Sequence, residues 1–429
     1  MTTFHLPITY LSSAKSLQKQ VINDLELNVA TDKVLQTNTI FGSRTAPLWC
    51  TTFTSDTKYL KDTQRLLSTD LPKVAHDVSG ISGVWEKVEL NSSKTLHKQD
   101  DDLGFHVKYH YVEWEWLRSL NNNSRFLQCM SLYNMTTPVI SLVLPIIFLI
   151  IPFVIIRVNG TPISFAHYFE VLKVVFKRHQ IGNIFAISSS TWDKRIYIII
   201  SFVFYILQVY QNIRCCVTFF NNMHDIHGQL FTIREHVTAS IKYMEDFELC
   251  ATKMTTYDGF ITNMASHHQA LVKMKTDLDY ITKNSVSFSK MKQVGHVMKC
   301  FYQLYNSSEY QRALNYSFDF CGYIDNLNGI QNSIHAELLG KCKFSKKKTK
   351  FHDAFYPITD RKPVTNTYDI NKHHLITGPN AAGKTTLLKA TLFNIVISQQ
   401  IGYGCFSKAT LAPFDHIHCY INIPDTSGR

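Results

Sequence analysis

The sequence predicts a mainly α-helical chain that closes in part of an α/β domain. Three observations carry this expectation. A Pro-poor stretch from about His224 to Leu339 holds long helical patterns such as HGQLFTIREHVTASIKYMEDFELC and HHQALVKMKTDLDYITKN. Two charge-free apolar runs lie in the middle of the chain. Near its end, HHLIT, GPNAAGKT and TLLKATLFNIVISQQ read in succession as a short strand, a glycine-rich turn and a helix.

Taken in order, residues 1–137 mix helices with polar loops. Ser13–Leu27 and Asp56–Leu67 have helical spacing. VKYHYVEWEWL, Val107–Leu117, is aromatic and alternating, so strand and helix compete there; Trp114 and Trp116 read as packing residues rather than a stacking platform. Residues 138–220 form an apolar helical hairpin. Its first run, Pro138–Ile156, is nineteen residues without a charge, long enough to cross a hydrocarbon core, with Pro145 and Pro152 expected to kink it. Its second, Ile196–Tyr210, is fifteen residues and marginal for a span.

A membrane hairpin through 138–156 and 196–210 and a pair of buried core helices both fit these runs. Two crossings would return the chain to its starting side and leave residues 157–195 opposite. That connection carries Arg157, Lys173, Lys177, Arg178, Lys194 and Arg195 against Glu170 and Asp193, and the positive-inside tendency pulls it the other way. Residues 221–340 then read as antiparallel helices of a lever region, residues 341–363 as a basic linker opening with KCKFSKKKTK, and residues 364–429 as the α/β part, with its first strands over 364–377.

Over 429 residues, Lys plus Arg exceeds Asp plus Glu by 44 − 33 = 11, a dispersed positive balance suited to nucleic acid or an anionic membrane face. Lys346, Lys347 and Lys348 are its densest cluster and a candidate DNA contact, though a solvated linker explains them equally well. The ten cysteines lack regular spacing or C-x-x-C pairs, which argues for reduced thiols and against a zinc site or a disulfide framework. The N-terminal residues lack the layout of a secretory signal, so an intracellular place is expected, nucleoplasmic or cytoplasmic, with membrane association open.

The sharpest chemistry lies in Gly378–Thr385, which fits G-x-x-x-x-G-K-[ST]. Glycines there let successive backbone N–H groups turn toward a phosphate while the helix's positive end faces the anion. Lys384 would reach the β and γ oxygens and the Thr385 hydroxyl would ligate Mg²⁺. ATP or ADP with Mg²⁺ is therefore the expected cofactor, held by Gly378, Pro379, Asn380, Ala381, Ala382, Gly383, Lys384, Thr385 and Thr386. An ordinary glycine-rich turn before a helix is the bland alternative.

ITGPNAAGKTTLLKA, Ile376–Ala390, resembles the phosphate-binding segment of the MutS mismatch-repair ATPases. The likeness continues through SQQIGYGCFSKATLAPFDHIHCYI, Ser398–Ile421, and DTSGR, Asp425–Arg429, is similar to the Ser-Gly-Arg before that family's ABC-type signature. Upstream, YIDNLNGI, Tyr323–Ile330, resembles the Leu-Asp-x-Leu segment that closes the long helices; FYP, Phe355–Pro357, and VTN, Val364–Asn366, resemble the approach to the first ATPase strand.

The resemblance implies phosphate contacts from Asn380 and Lys384, an adenine near Phe355 or Tyr356, and a homodimer or partner ATPase in the full-length form. It also implies an inherited role in mismatch repair or recombination. A Phe-x-Glu mismatch-reading segment is not evident, so any DNA binding is expected to be non-specific. LAPFD, Leu411–Asp415, corresponds to a different strand from the one whose acid holds magnesium. Neither an apolar run ending in Asp-Glu nor the signature segment follows, so the chain reads as a truncated ATPase, deficient in hydrolysis and with no catalytic residue assigned. Two other functions compete: a membrane-tethered nucleotide-dependent module without DNA binding, and an inactive fragment of a split ATPase.

Overall fold

The computed structural model describes residues 4–74, 80–81, 83–84, 86, 109–160, 168–170, 174, 192–282, 292–358, 363–379 and 382–421. These are mainly helical with two small sheets. The helices used below are α1 (Lys19–Asp24), α2 (Leu27–Leu35), α3 (Ile40–Thr45), α4 (Thr57–Leu66), α5 (Ser124–Val158), α6 (Trp192–Ala251), α7 (Asp258–Asp279), α8 (Val294–Asn306), α9 (Ser308–His335) and α10 (Lys384–Ile401). The chain divides into two compact units, one of Met1–Ser92, Thr232–Asp279 and Tyr305–Arg429, the other of Ser93–Phe231 and Tyr280–Leu304. Both are discontinuous, whereas the sequence suggested five consecutive blocks.

At the centre of the first unit lies α9. Phe320 and Tyr323 on α9 join Phe4, Phe247 and Phe260 in a buried aromatic cluster whose ring centroids sit 5.6–6.5 Å apart. On another face α9 receives α2 and α3 at close range. A Cβ at Gly322 would run into the Phe41 carbonyl and one at Gly329 into the Leu35 carbonyl, so only glycine admits those backbones. Asp325 fixes the entry to α3. Its Oδ2 accepts from the Asn38 N–H (3.0 Å), the Thr39 N–H (2.9 Å) and the Thr39 hydroxyl (2.8 Å), while Thr39 caps α3 through the Gly42 N–H.

Helix α4 starts where the spacing placed it. Asp56 caps it, accepting from the N–H groups of Lys58 and Tyr59. The expected helix over Ser13–Leu27 is corrected: Ala14–Ser16 is strand β1, antiparallel to β2 (Thr52–Thr54), and α1 begins only at Lys19. Alternation is hard to see in three residues, and the pairing partners lie 36–40 positions away.

A second sheet combines β3 (Gly340–Phe344), β4 (Lys350–Ala354), β5 (Asn366–Asp369), β6 (Tyr403–Gly404) and β7 (Lys408–Leu411) in the order β5-β4-β7-β3-β6. β3 runs parallel to β7 and the other pairings are antiparallel. The expected basic linker 341–363 is thus part of a sheet. Cys342 and Phe351 bury inward, while Lys346, Lys347 and Lys348 project into solvent on the β3–β4 connection.

In the second unit, Tyr111 donates from its hydroxyl to the Met298 carbonyl of α8 (2.8 Å), and the Gly295 N–H donates to Gln128 of α5 (2.8 Å). Asn121 exchanges both amide bonds with the Val112 backbone at 3.0 Å. Of Val107–Leu117, residues 107–108 lie outside the described residues. The remainder is neither a strand nor a long helix, and 3₁₀ turns begin at Glu115. Trp114 and Trp116 are 65% and 76% exposed and stacked on each other at 6.0 Å, which corrects their expected role in packing. α5 runs unbroken through Pro145 and Pro152.

Candidate phosphate-binding loop

The glycine-rich turn delivers the chain into α10 through Gly383, whose backbone is left-handed (φ +80°, ψ +13°), a conformation that costs a residue with a Cβ. No side chain caps the helix. The first-turn N–H groups of Lys384, Thr385 and Thr386 therefore stand at an uncapped positive end, with both threonines exposed. The Lys384 ammonium folds back over the turn and donates to the carbonyls of Gly378 (2.7 Å) and Pro379 (2.5 Å). The Ala382 N–H approaches the Pro379 carbonyl at 3.4 Å. Asn380 and Ala381 lie outside the described residues.

The lead-in differs from the expectation. His373–Thr377 is not a strand; Leu375 is 92% exposed and Ile376 39%. Among the described residues β5 is an edge strand bonded to β4 alone and ends at Asp369, so the chain leaves the sheet four residues before His373. An apolar segment with no neighbouring strand has no ladder to join, whatever its own propensity. The expected strands over 364–377 reduce to β5.

Beyond its first two turns α10 is buried, from Ala390 to Ile401 apart from the half-buried Thr391 and Leu392. Polar side chains on it tie the surrounding elements together. Asn394 donates to the Phe355 carbonyl (3.1 Å) and accepts from the Cys405 N–H (2.6 Å). Gln399 donates to the carbonyls of Thr54 (3.0 Å) and Phe414 (2.8 Å), and Gln400 donates to those of Thr52 (2.8 Å) and Trp49. Gln64 of α4 reaches the carbonyls of Cys342 and Gly402 at 2.8 and 2.6 Å. The N-terminal residues are in this way built onto the loop-bearing helix. Sequence reasoning passed over these amides; the signal was the pair of glutamines ending a largely apolar helix.

Phe355 and Tyr356 take different places. Phe355 meets Asn394, ten residues along α10 from Lys384 and hence about 15 Å from it along the axis. It is half-buried and borders a cavity of about 310 Å³ together with Lys33, Gln36, Ser333, Pro357 and Cys405. Tyr356 is buried, edge-on to Phe393, with its hydroxyl donating to the Leu25 carbonyl at 2.6 Å. Burial, and secondarily Glu26, push the phenol well above its ordinary value and keep it protonated.

Asp415 is exposed and accepts from Lys15 (2.7 Å) and Ser55 (2.9 Å), and these bonds hold its carboxyl below the ordinary value. The acid of LAPFD therefore ties the C-terminal segment to the β1–β2 region. All ten cysteines are free thiols. For Mg²⁺ the chain offers the exposed Thr385 hydroxyl, an oxygen beside the uncapped first-turn N–H groups; that would fit an ion which takes its remaining ligands from phosphates and water. No protein-family model matches the chain, and no curated protein matches it.

Proposed function

We propose that this chain binds ATP or ADP with Mg²⁺ at Gly378–Thr386, as the nucleotide-binding part of a MutS-like, DNA-associated protein. The observation that carries the reading is the convergence at the start of α10: a left-handed Gly383, an uncapped helix N-terminus, and the Lys384 ammonium held over the loop carbonyls. Phosphate oxygens would accept from the first-turn N–H groups, and the ammonium would exchange its carbonyl partners for them. Thr385 would contribute its hydroxyl to magnesium, whose charge offsets that of the phosphates. Gln399, Gln400 and Gln64 then offer a path by which a change at the loop reaches β2 and α4.

The MutS part of the proposal rests on the sequence likeness, with Asp325 of YIDNLNGI now seen to join α9 to α3. Exposed Lys346, Lys347 and Lys348 would supply sequence-independent phosphate contacts to DNA. A second reading, a membrane-tethered nucleotide module, is favoured by the exposed apolar surface of α5 and α6.

The nucleotide proposal is tested by titrating ATP and ADP with Mg²⁺ by calorimetry against the whole chain and Lys384→Ala. Loss of the ammonium should weaken binding at least about tenfold, since charge-assisted bonds to phosphate contribute about 1.5–3 kcal/mol. Equal affinity in both proteins would refute the site. Turnover of ATP by the chain should be negligible, because the phosphate loop is not accompanied by an apolar run ending in Asp-Glu to hold the magnesium; an ordinary ATPase rate that disappears in Lys384→Ala would overturn that part.

A further inference from the structure

We infer that α5 and the first part of α6 form a two-helix hairpin that crosses a lipid bilayer, with Arg157 and Arg195 at one face and Arg214 at the other. This is independent of the nucleotide reading. Two contacts give the helices opposite directions. The Cys216 thiol meets the Met135 carbonyl at 3.5 Å. One turn further along α6, Phe219 meets His110 at 6.0 Å, and His110 adjoins the segment that Asn121 fastens to the start of α5.

From that register the depth of each residue follows at 1.5 Å per residue. Arg157 lies 22 residues beyond Met135, about 33 Å, and Arg195 lies 21 residues before Cys216, about 31 Å, so the two arginines come level. Arg214 is two residues from Cys216. Between Arg195 and Arg214 no residue of α6 is charged, nor is any residue of α5 between Arg125 and Arg157. The charge-free band is about 28 Å thick, close to the ~30 Å hydrocarbon core of a bilayer.

The exposure pattern selects a bilayer over a protein partner. Leu142, Val143 and Leu144 are 51%, 40% and 44% exposed, and three successive residues cover about 200° of a helix. Phe204, Ile206 and Leu207 are likewise 67%, 49% and 48% exposed. A second helix or a second copy would cover one stripe, whereas lipid wets every direction. Hydroxyls within α5 bond back to its own backbone: Thr136 to Leu132, Thr137 to Tyr133 and Ser141 to Pro138, each at 2.7–2.8 Å, so these three need no water to satisfy them. At the Arg195 end, Trp192 is 77% exposed and lies beneath the guanidinium at 5.2 Å, an amphipathic pair suited to the headgroup level.

Chain topology demands an even number of crossings. α3, before the hairpin, is bonded to α9, after it, through Asp325. A single span would put these partners on opposite sides; two keep them together.

The test is cell-free synthesis of the full chain with vesicles of phosphatidylcholine and phosphatidylglycerol (3:1), an alkaline carbonate wash and flotation. The wild type should float. Ile147 and Phe204 share the mid-depth of the band, twelve residues from Met135 and Cys216 respectively. Ile147→Arg combined with Phe204→Arg should cut the floated fraction about tenfold, while Val158→Arg, beyond the arginine level, should change it less than about twofold. Proteinase K applied to floated wild type should leave peptides covering 138–156 and 196–213. Recovery of the chain as a soluble monomer or dimer without vesicles, equal flotation of all variants, or digestion of those two segments would each overturn the proposal.

Discussion

Removing the Asp325 carboxylate should uncouple α9 from the N-terminal segment, and the cost follows from the geometry. Asp325 is 3% exposed, and one oxygen takes three donors from Asn38 and Thr39. A hydrogen bond to a charged group contributes about 1.5–3 kcal/mol. Asn38 is exposed and Thr39 half-buried, so water recovers part of the loss, and Asp325→Ala should cost about 3 kcal/mol. Asp325→Asn can place its carbonyl oxygen where Oδ2 stands and should cost about 1 kcal/mol. Urea unfolding followed by tryptophan fluorescence reports the change directly, because Trp49 stacks on Tyr323 at 6.0 Å, two residues away.

A coupling test sharpens this. A Cβ at Gly42 would run into Asp325 Oδ2, so Gly42→Ala should be destabilising in the wild type and much less so beside Asp325→Ala. Additive costs for the two substitutions, or equal costs for Asn and Ala at 325, would refute the account of the carboxylate as the clamp between α9 and α3.

Three further outcomes are expected. Replacing Lys346, Lys347 and Lys348 with Gln should weaken matched and mismatched duplex binding by the same factor and flatten the salt dependence by up to about three ion equivalents, read from titrations at several salt concentrations; a tenfold preference of the wild type for a mismatch would contradict it. Phe355→Ala should weaken ATP binding severalfold with little change in stability if the base reaches the cavity beside it, whereas Tyr356→Phe should leave affinity intact and cost about 1 kcal/mol through the lost bond to Leu25. Burial pushes the thiols of Cys321, Cys342 and Cys405 up from 9.0 to about 12. Their contribution to stability is whole below pH 9 and falls as pH rises toward 12, where the unfolded thiols ionise first, so urea midpoints should drop across that range and drop less steeply when the three are replaced by Ala, the remaining slope coming from other buried groups such as Tyr257 and Cys50.

Where a single element's own residues decide its structure, the sequence was readable. Asp56 before an amphipathic run marked α4, and Gly383-Lys384 before an apolar run marked α10, because capping and helical period are local signals. β1 was missed and HHLIT was read as a strand for one reason: a strand exists only with a neighbour. Ala14–Ser16 has β2, while His373–Thr377 follows an edge strand and has none among the described residues. The same blindness hid the amide network. Gln64, Asn394, Gln399 and Gln400 look like interruptions in apolar helices, yet each of these buried side chains satisfies backbone groups of another element, as burial of a polar group requires.

That requirement turns a sequence oddity into a marker of a packed interior. Polar residues of α10 reach outward to carbonyls of β2, and those of α9 to the turn before α3, so both belong to a packed interior with partners to satisfy. Thr136, Thr137 and Ser141 of α5 donate to their own helix, and the described apolar side chains from Val139 to Val158 are each 40% exposed or more. Over that length the helix offers its neighbours no single apolar stripe, which suits a surrounding that is itself apolar and unstructured. Ser317 of α9 and Thr391 of α10 also bond back within their helices, so the spread of exposed apolar side chains around the helix is what distinguishes the candidate span from a core helix here, where hydropathy alone left both open.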